Sequence, residues 1–460
     1  MSEDATLDEF VNAEGDDSRE SATDTETLDQ EQFGPFTLST PGEWSAKRLG
    51  DIKRLITRGK QPTYDDDGIP VINQECIYWD GWHFENLRYL DEDVGEDWKD
   101  KYFPQRGDVI LNSTGQGTLG RAQVYPDNKR RAIDSHVTLL RTDDELNPYF
   151  HRYFLESHLG QALLYSMCVN GSTGQIELSK TRLDLQPVPL PPLPEQRKIA
   201  TVLYTVDRAI EKTEEVITQT ERLREGAMQD LFSRGVRGYD DFQETKYGTI
   251  PASWEVKPVR EIADRIGSGG TPNTGKEEYY GGDIEWVKTD DLNSGLVDSA
   301  KTTITAKGLD ESAAKLFPEG TVVFAMYGGA LGQNGRLGME AAMNQACCGI
   351  VTDKSEMDSY LLHQQLIHRK KQLTALSAGT HQQNISQSMI EKFEVFVPPL
   401  DEQKEMVNIL KSIERTIETN TNEKERLKRL KRGLMQDLLS GTVRTTDTNI
   451  EVPEEIAQYG

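Results

Sequence analysis

The chain lacks any apolar run approaching the roughly 18 residues that a membrane-crossing helix needs. Its N-terminus lacks the basic and apolar stretches of a secretory leader, so a cytoplasmic protein is expected. The four cysteines (Cys76, Cys168, Cys347, Cys348) show no Cys-x-x-Cys spacing, which argues against a zinc ribbon or a disulfide framework and fits a reducing compartment. The seven histidines show no metal-ligand spacing either. Positive charge is scarce: 52 Lys and Arg face 77 Asp and Glu, a net of −25 over 460 residues. Residues 1–32 hold twelve acidic residues against Arg19 alone and offer almost nothing to bury, so residues 1–35 are expected to form a disordered acidic tail. The body stays acidic without that tail. A halophilic protein, kept soluble at high salt by solvated carboxylates, is one explanation, and an acidic mesophilic protein is the other.

What the chain does contain is repetition. Pro192-Leu193-Pro194-Glu195-Gln196-Arg197-Lys198-Ile199 recurs as Pro399-Leu400-Asp401-Glu402-Gln403-Lys404-Glu405-Met406, an offset of 207 residues. The offset holds without a gap to Met228-Gln229-Asp230-Leu231 against Met435-Gln436-Asp437-Leu438. The stretches ahead of these copies echo each other more loosely. Trp44 answers Trp254, Phe103-Pro104-Gln105-Arg106-Gly107 answers Phe317-Pro318-Glu319-Gly320, and Gly171-Ser172-Thr173-Gly174-Gln175-Ile176 answers Gly379-Thr380-His381-Gln382-Gln383-Asn384-Ile385.

Each copy reads as a long helix. Ile199, Leu203, Val206, Ile210, Leu223 and Leu231 mark an apolar seam in the first, and Met406, Leu410, Ile413, Ile417, Leu427, Leu434 and Leu438 mark it in the second. Prolines stand just before Glu195 and Glu402, where a helix can begin, and Gly235 and Gly441 lie where helices stop. About 38 helical residues span roughly 57 Å. The second helix covers its apolar stripe by running back along the first, so an antiparallel coiled coil with pseudo-two-fold symmetry is expected, its facing positions adding to about 634. A helical hairpin inside one domain is the plainer alternative.

Short β-type runs (Val109-Ile110-Leu111, Val137-Thr138-Leu139-Leu140, Val322-Val323-Phe324, Gly349-Ile350-Val351) and helical periodicity at Pro148–Leu164 and Met357–Leu376 mark the remaining stretches. The fold class is therefore α+β: two α/β domains in tandem, each followed by a long helix. The expected boundaries are a tail over 1–35, a first domain over 36–190, a helix over 191–237, a second domain over 238–397, a helix over 398–444 and a tail over 445–460.

Several motifs tempt toward chemistry. Gly115-Gln116-Gly117-Thr118-Leu119-Gly120 matches a dinucleotide fingerprint, but the strand-like Arg121–Tyr125 follows instead of a helix, so a hairpin turn is expected. Gly270–Lys276 resembles a phosphate loop until Glu277 takes the place of the magnesium-binding hydroxyl. No Asp/Asn-Pro-Pro-Tyr/Phe loop for a flipped adenine occurs. Asp134, Ser135 and His136 are neighbours in sequence, whereas a catalytic triad assembles in space. No catalytic constellation emerges.

The arrangement resembles the specificity subunit of type I restriction-modification systems across about residues 36–444. The Pro-Leu-x-Glu-Gln helix starts at Pro192 and Pro399, the Met-Gln-Asp-Leu ends, Gly269-Gly270-Thr271-Pro272, Ile284-Glu285-Trp286-Val287-Lys288-Thr289 and Leu331-Gly332 carry the resemblance. It implies a non-catalytic chain whose two target recognition domains each read half of a split site in double-stranded DNA. It also implies that the paired helices act as spacer and as docking surface for two methyltransferase subunits. S-adenosylmethionine, ATP and magnesium would then sit on partner subunits, the last two on a restriction/translocase subunit, with no cofactor or metal held by this chain. A fused enzyme with an undetected catalytic site, or a scaffold joining two protein-binding domains, are the competing readings.

Sequence reading of DNA needs polar side chains at base edges, with cations on phosphates. The candidates are Arg58, Lys60, Asn73, Gln74, Arg121, Arg130 and Arg131 in the first domain, and Lys288, Thr289, Tyr327, Gln333, Arg336, Gln382 and Gln383 in the second. The acidic balance conflicts with the basic footprint usual for a DNA binder, although Lys129-Arg130-Arg131 forms a local cluster. The run Lys424, Arg426, Lys428, Arg429, Lys431 and Arg432 reads as a solvated helix face, or as a stripe facing a partner or DNA.

Overall fold

The β-rich stretches build two larger sheets in each domain, with two-stranded pairs beside them, and the apolar seams join the two long helices. The computed structural model describes residues 28–34, 36–171, 176–375 and 384–459. The chain divides into two units, one formed up to Glu214 together with Asn422 onward, the other by Glu215–Thr421. Each unit thus holds one domain and half of each long helix.

In the first unit the central sheet runs Lys53–Arg58, Val137–Thr142, Val109–Asn112, Ala122–Val124, all antiparallel. Every residue of Val109–Asn112 is buried, as an inner strand covered on both faces requires. A second sheet orders Ala132–Ile133, Ile69–Ile72, Arg88–Leu90 and Tyr64–Asp65. Helix Pro148–Glu156, capped by Asn147, carries Phe150, Tyr153 and Phe154 into the main core. The helical run expected to reach Leu164 breaks at Ser157, whose hydroxyl caps a new helix, His158–Leu163.

The second unit repeats the central order: Ala263–Ser268, Cys347–Thr352, Val322–Ala325 and Asn334–Leu337, with Leu296–Val297 added at the edge. Its second sheet holds Thr303–Ile304, Tyr280–Val287, Ala341–Met343 and Leu316–Phe317. Helix Ser359–His368, capped by Asp358, matches the helix after Asn147.

The long helices are Leu193–Arg234 and Leu400–Leu439. In the first unit Lys424 pairs with Glu214, and Lys431 lies 2.8 Å from Asp207; in the second, Arg224 lies 3.5 Å from Glu414. Numbers rise on one helix as they fall on the other, so the pairing is antiparallel. The Asp207–Lys431 and Glu414–Arg224 pairs are one interaction repeated at the 207-residue offset with the helices exchanged. Facing positions add to 638, one helical turn beyond the expected 634. Side chains on both helices lean toward their own N-terminus, so residues that touch lie past the level set by the midpoints.

Along the seam Ile199, Leu203, Val206, Leu231, Met406, Leu410 and Leu438 are buried, while Ile210, Ile413, Ile417, Leu427 and Leu434 are half-buried. Ile199, Leu434 and Leu438 share one core. Leu223 is a correction, since it is 61% exposed. The neighbouring Arg224 turns inward to Gln364 and Glu414, and one residue of helical rotation carries Leu223 outward.

The repeated Glu-Gln pair fastens each domain to its helix. The Trp44 indole donates to Glu195 at 3.1 Å, and the Trp254 indole donates to Glu402 at 2.9 Å. Gln196 accepts from the Asn147 amide at 2.9 Å and donates to the Glu145 and Pro191 carbonyls. Gln403 does the same with Asp358, Glu356 and Pro398. Burial pushes the Glu195 carboxyl upward, but Arg444, the Thr445 amide and the Trp44 indole outweigh it and hold the group below its ordinary range.

Both expected tails need correction. Leu28–Phe33 is a strand paired with Phe36–Pro41, and Glu31 accepts from the Ala46 amide, because Phe33, Leu38 and Ala46 form a small apolar cluster. Residues 1–27 lie outside the described residues. At the other end Ile456, fully buried, draws 445–459 against the first domain's core. Among the described residues no helix is long and apolar enough to cross a membrane.

Candidate nucleic-acid interface

Three loops of the first domain meet at one end of its central sheet. Strand Lys53–Arg58 runs into Gly59, where a Cβ would lie 2.0 Å from the Asp134 carbonyl, so only glycine permits the approach. Strand Val109–Asn112 runs into Ser113 and Thr114, and Asp134-Ser135-His136 precedes strand Val137–Thr142. Ser135 donates to Gln61 at 2.5 Å, and Thr114 bonds the His136 Nδ1 at 2.8 Å. Arg58 pairs with Glu177 and donates to the Ser135 carbonyl, while burial lowers its pKa. Beneath them Asp134 accepts from the Tyr64 hydroxyl at 2.9 Å and the His136 amide at 2.8 Å. Burial raises the Asp134 carboxyl in spite of both bonds.

The second domain repeats the arrangement. The Gly270 amide donates to Met343 at 2.8 Å, Thr271 bonds Gln345, and the Met326 amide donates to Ala346 at 2.8 Å. Ser268 reaches Gln387 at 3.4 Å. The result in each domain is a sheet end carrying hydroxyl and amide groups, joined in the first domain by the His136 imidazole, the donor and acceptor types that read base edges.

Of the first domain's candidates, Arg58 lies at this sheet end, and Gln74 stands beside Thr118 and the glycine turn. Exposed Lys60 lies 5.0 Å over the Trp98 ring, and exposed Arg130 lies 4.6 Å over Phe103. Three others are corrected. Asn73 is 4% exposed, capping a short turn and donating to Asn86. Arg131 is buried against Tyr125 and Asp127, and Arg121 is buried over the Tyr78 ring. Buried inside a folded domain, these three present no face to a duplex.

In the second domain Tyr327 and Gln333 bracket the glycine loop, both half-buried. Lys288 and Thr289 follow strand Tyr280–Val287, with Lys288 5.8 Å over Trp286. Arg336 sits within strand Asn334–Leu337 over the Tyr360 ring, away from the loops. Gln382 and Gln383 lie outside the described residues. The sequence reading missed Gln61, Thr114, Ser135, Thr271 and Gln345 as members of this surface, and it weighed His136 only for a triad. Their signal was positional: each follows or precedes a β-run that recurs in the repeat.

The arrangement holds no acyl-transfer triad, because Ser135 is bonded to Gln61, His136 to Thr114 and Asp134 to Tyr64. The Gly115–Gly120 segment is a turn between strands Val109–Asn112 and Ala122–Val124, not the start of a helix. All four cysteines are buried, and burial pushes their thiols up to about 11 for Cys76 and about 12 for the others. Among the described residues no group of three His, Cys, Asp or Glu is placed to hold a metal ion.

The sequence matches the family described as the type I restriction modification DNA specificity domain over residues 41–222 and 251–429. It is 25% identical to the putative type I restriction enzyme MjaX specificity subunit of Methanocaldococcus jannaschii, over 88% of this chain and 94% of that one. The MjaVIII specificity subunit of the same organism is 26% identical over 90% of this chain and 96% of its own length. Among solved structures, one on complex assembly and conformational transition of the type I R-M system matches with a TM-score of 0.55 at 18% identity, covering 88% of this chain and 99% of that one. The S subunit of a type I restriction-modification system from M. genitalium matches with a TM-score of 0.53 at 14% identity, covering 86% and 96%. The two matched segments take in the greater part of both long helices and most of both domains, and the chain belongs to the type I restriction-modification specificity family.

Proposed function

We propose that this chain is the non-catalytic DNA sequence-recognition subunit of a type I restriction-modification complex, each domain reading one half of a bipartite site. The observation that carries the reading is the duplicated sheet end, where Gln61–Ser135 and Thr271–Gln345 bond between equivalent loops of domains with one strand order. Two such surfaces suit a target with two specific halves. The acidic balance of −25 leaves phosphate contacts few, so partner subunits supply much of the grip on DNA. The test compares methylated adenines in the genome with and without the gene. Loss of a bipartite methylation motif on deletion supports the reading, and an unchanged methylome rejects it.

The partners in this reading are two methyltransferase subunits binding S-adenosylmethionine and a restriction/translocase subunit using ATP and magnesium. Support for two equal docking sites comes from an exposed strip present twice: Arg222, Leu223, Gly226, Gln229, Asp230 and Arg429, Leu430, Gly433, Gln436, Asp437. Leu223 and Leu430 are 61% and 50% exposed, and nothing lies within 4 Å of a Cβ built on Gly226 or Gly433. An interior helix glycine costs about 1 kcal/mol relative to alanine, a cost with no return inside this chain and a reason for a partner's close approach.

A further inference from the structure

The internal repeat ends at Val236-Arg237 and Val443-Arg444. Beyond it the two copies part. After Arg237 the chain forms the hairpin Phe242–Thr245 and Gly248–Pro251. After Arg444 it runs through 445–459 against the first domain, with a helical turn at Glu454–Ala457. Lys198 donates to three carbonyls in this segment, Thr445, Thr446 and Thr448, at 3.1, 2.9 and 2.7 Å. Asn147 donates to the Ile456 and Tyr459 carbonyls at 3.0 and 3.2 Å, and Arg197 donates to Tyr459 at 3.1 Å. Ile456 is fully buried, and the Tyr459 ring lies on Gly107, where a Cβ would come within 2.3 Å of it.

Two of the receptor positions, 147 and 198, are ones at which the otherwise matching copies diverge in chemistry, while Lys404 answers Arg197. Asn147 and Asp358 occupy one role: each accepts from two helix amides, and each donates its own amide to the clasp glutamine. Only the asparagine has a side-chain donor left for a carbonyl. Lys198 answers Glu405, which cannot donate and pairs with Arg237 instead. The second copy therefore keeps the cap and the clasp but lacks the two donors that Asn147 and Lys198 supply.

We propose that residues 445–459 are a strap bound in a groove of the first recognition domain, with Asn147 and Lys198 as its specific receptors, and that it fixes that domain on the helix pair. The second domain is joined to the helices by its clasp, by Gln364 between Arg224 and Glu414, and by a shared apolar core, with no equivalent strap among the described residues. Only the strap's effect on site choice rests on the DNA-recognition reading.

Full-length Asn147→Asp and Lys198→Glu chains test the proposal by hydrogen exchange. Asn147→Asp keeps the helix cap, as Asp358 demonstrates, and removes two bonds. Exchange of the 454–459 amides should rise about tenfold while Pro148–Glu156 stays protected. Lys198→Glu should release 445–448 first. Asp358→Asn, the control, should leave the strap unchanged. Unaltered exchange at 445–459 in both variants, or an equal rise in the Asp358→Asn chain, overturns the proposal. Methylation mapping of the double variant forms a second arm, expected to lose discrimination in one half-site before the other. A strap released with both half-sites read as before overturns the fixing role, and a strap released in a chain that never directs methylation counts against the DNA reading alone.

Discussion

Lys431 joins three elements of the first unit, and replacing it isolates what that junction contributes. Its ammonium lies 2.6 Å from Glu156 on a domain helix and 2.8 Å from Asp207 on the first long helix, with its side chain 10% exposed. Lys431→Met preserves most of the packed stem and deletes the charge. Arg152, 2.7 Å from Glu156 and 3.0 Å from Asp207, is then the cation left to both carboxylates, with the Tyr153 hydroxyl still donating to Asp207 at 2.8 Å. Breaking a buried pair by removing one partner costs about 3–5 kcal/mol, and the surviving Arg152 places the expected loss near the lower figure. The equivalent pair in the second unit is more open, with Arg224 and Glu414 27% and 37% exposed and 3.5 Å apart. Solvent screens it, so the ion pair's share of an Arg224→Met loss should be no more than about 1 kcal/mol, to which the lost Gln364 bond adds about 1 kcal/mol. Hydrogen exchange of each unit as a function of urea separates the two effects. Equal losses in the two variants would refute the argument, because burial would then not govern what the junction contributes.

Three further outcomes are expected. His151 and His363 are buried at 0% and 2% exposure, with burial pushing their pKa values down from 6.5 to about 3 and about 4. The unfolded chain therefore binds more protons below pH 6.5, so stability is full above that value and falls with acid by about 2 kcal/mol per histidine at pH 5. His151→Leu should remove the first unit's share in urea titrations at the two pH values, and an unchanged slope would contradict the assignment. Four residues inserted between Thr213 and Thr220 add about 6 Å of helix with a residual rotation of about 40°. Both half-site sequences should survive in the methylome with the gap between them widened by one or two base pairs; altered bases at an unaltered gap would sink the spacer role. Finally, carboxylate repulsion at −25 should make thermal stability climb as KCl rises from about 0.1 to 1 M, where screening shortens to about 3 Å; a falling melting temperature would remove the reason to call the chain halophilic.

Periodicity and repetition made the helices legible in advance. Two seams at spacings of three and four, displaced by 207 residues, leave little choice but a pair of long helices, and antiparallel pairing follows. Leu223 escaped because heptad spacing does not say which of two adjacent residues faces the partner, and here Arg224 took the inner position. The strand order was not legible, since runs such as Val109–Asn112 and Val322–Ala325 are uniformly buried and carry no alternation to orient them. The polar sheet ends were harder still. Polar loop residues have no period, so Arg131 and Asn73 looked as available as Gln61 or Ser135 until burial separated them.

The residues that make the family recognisable are not those of the sheet-end loops. Glu195, Gln196, Glu402 and Gln403 are all between 0 and 2% exposed and spend their hydrogen bonds on Trp44, Trp254, Asn147, Asp358 and nearby carbonyls. A buried carboxylate without such partners would be strongly destabilising, so each of these positions is chemically constrained by its neighbours. The sheet-end loops are constrained only by a few bonds between side chains that face outward, and those differ even between the two domains of one chain, Gln61–Ser135 in one and Thr271–Gln345 in the other. On the proposed reading, attachment and recognition lie on separate sets of residues. A domain whose loop side chains are exchanged should therefore keep its clasp to the helices, and on the proposed reading only its target should change.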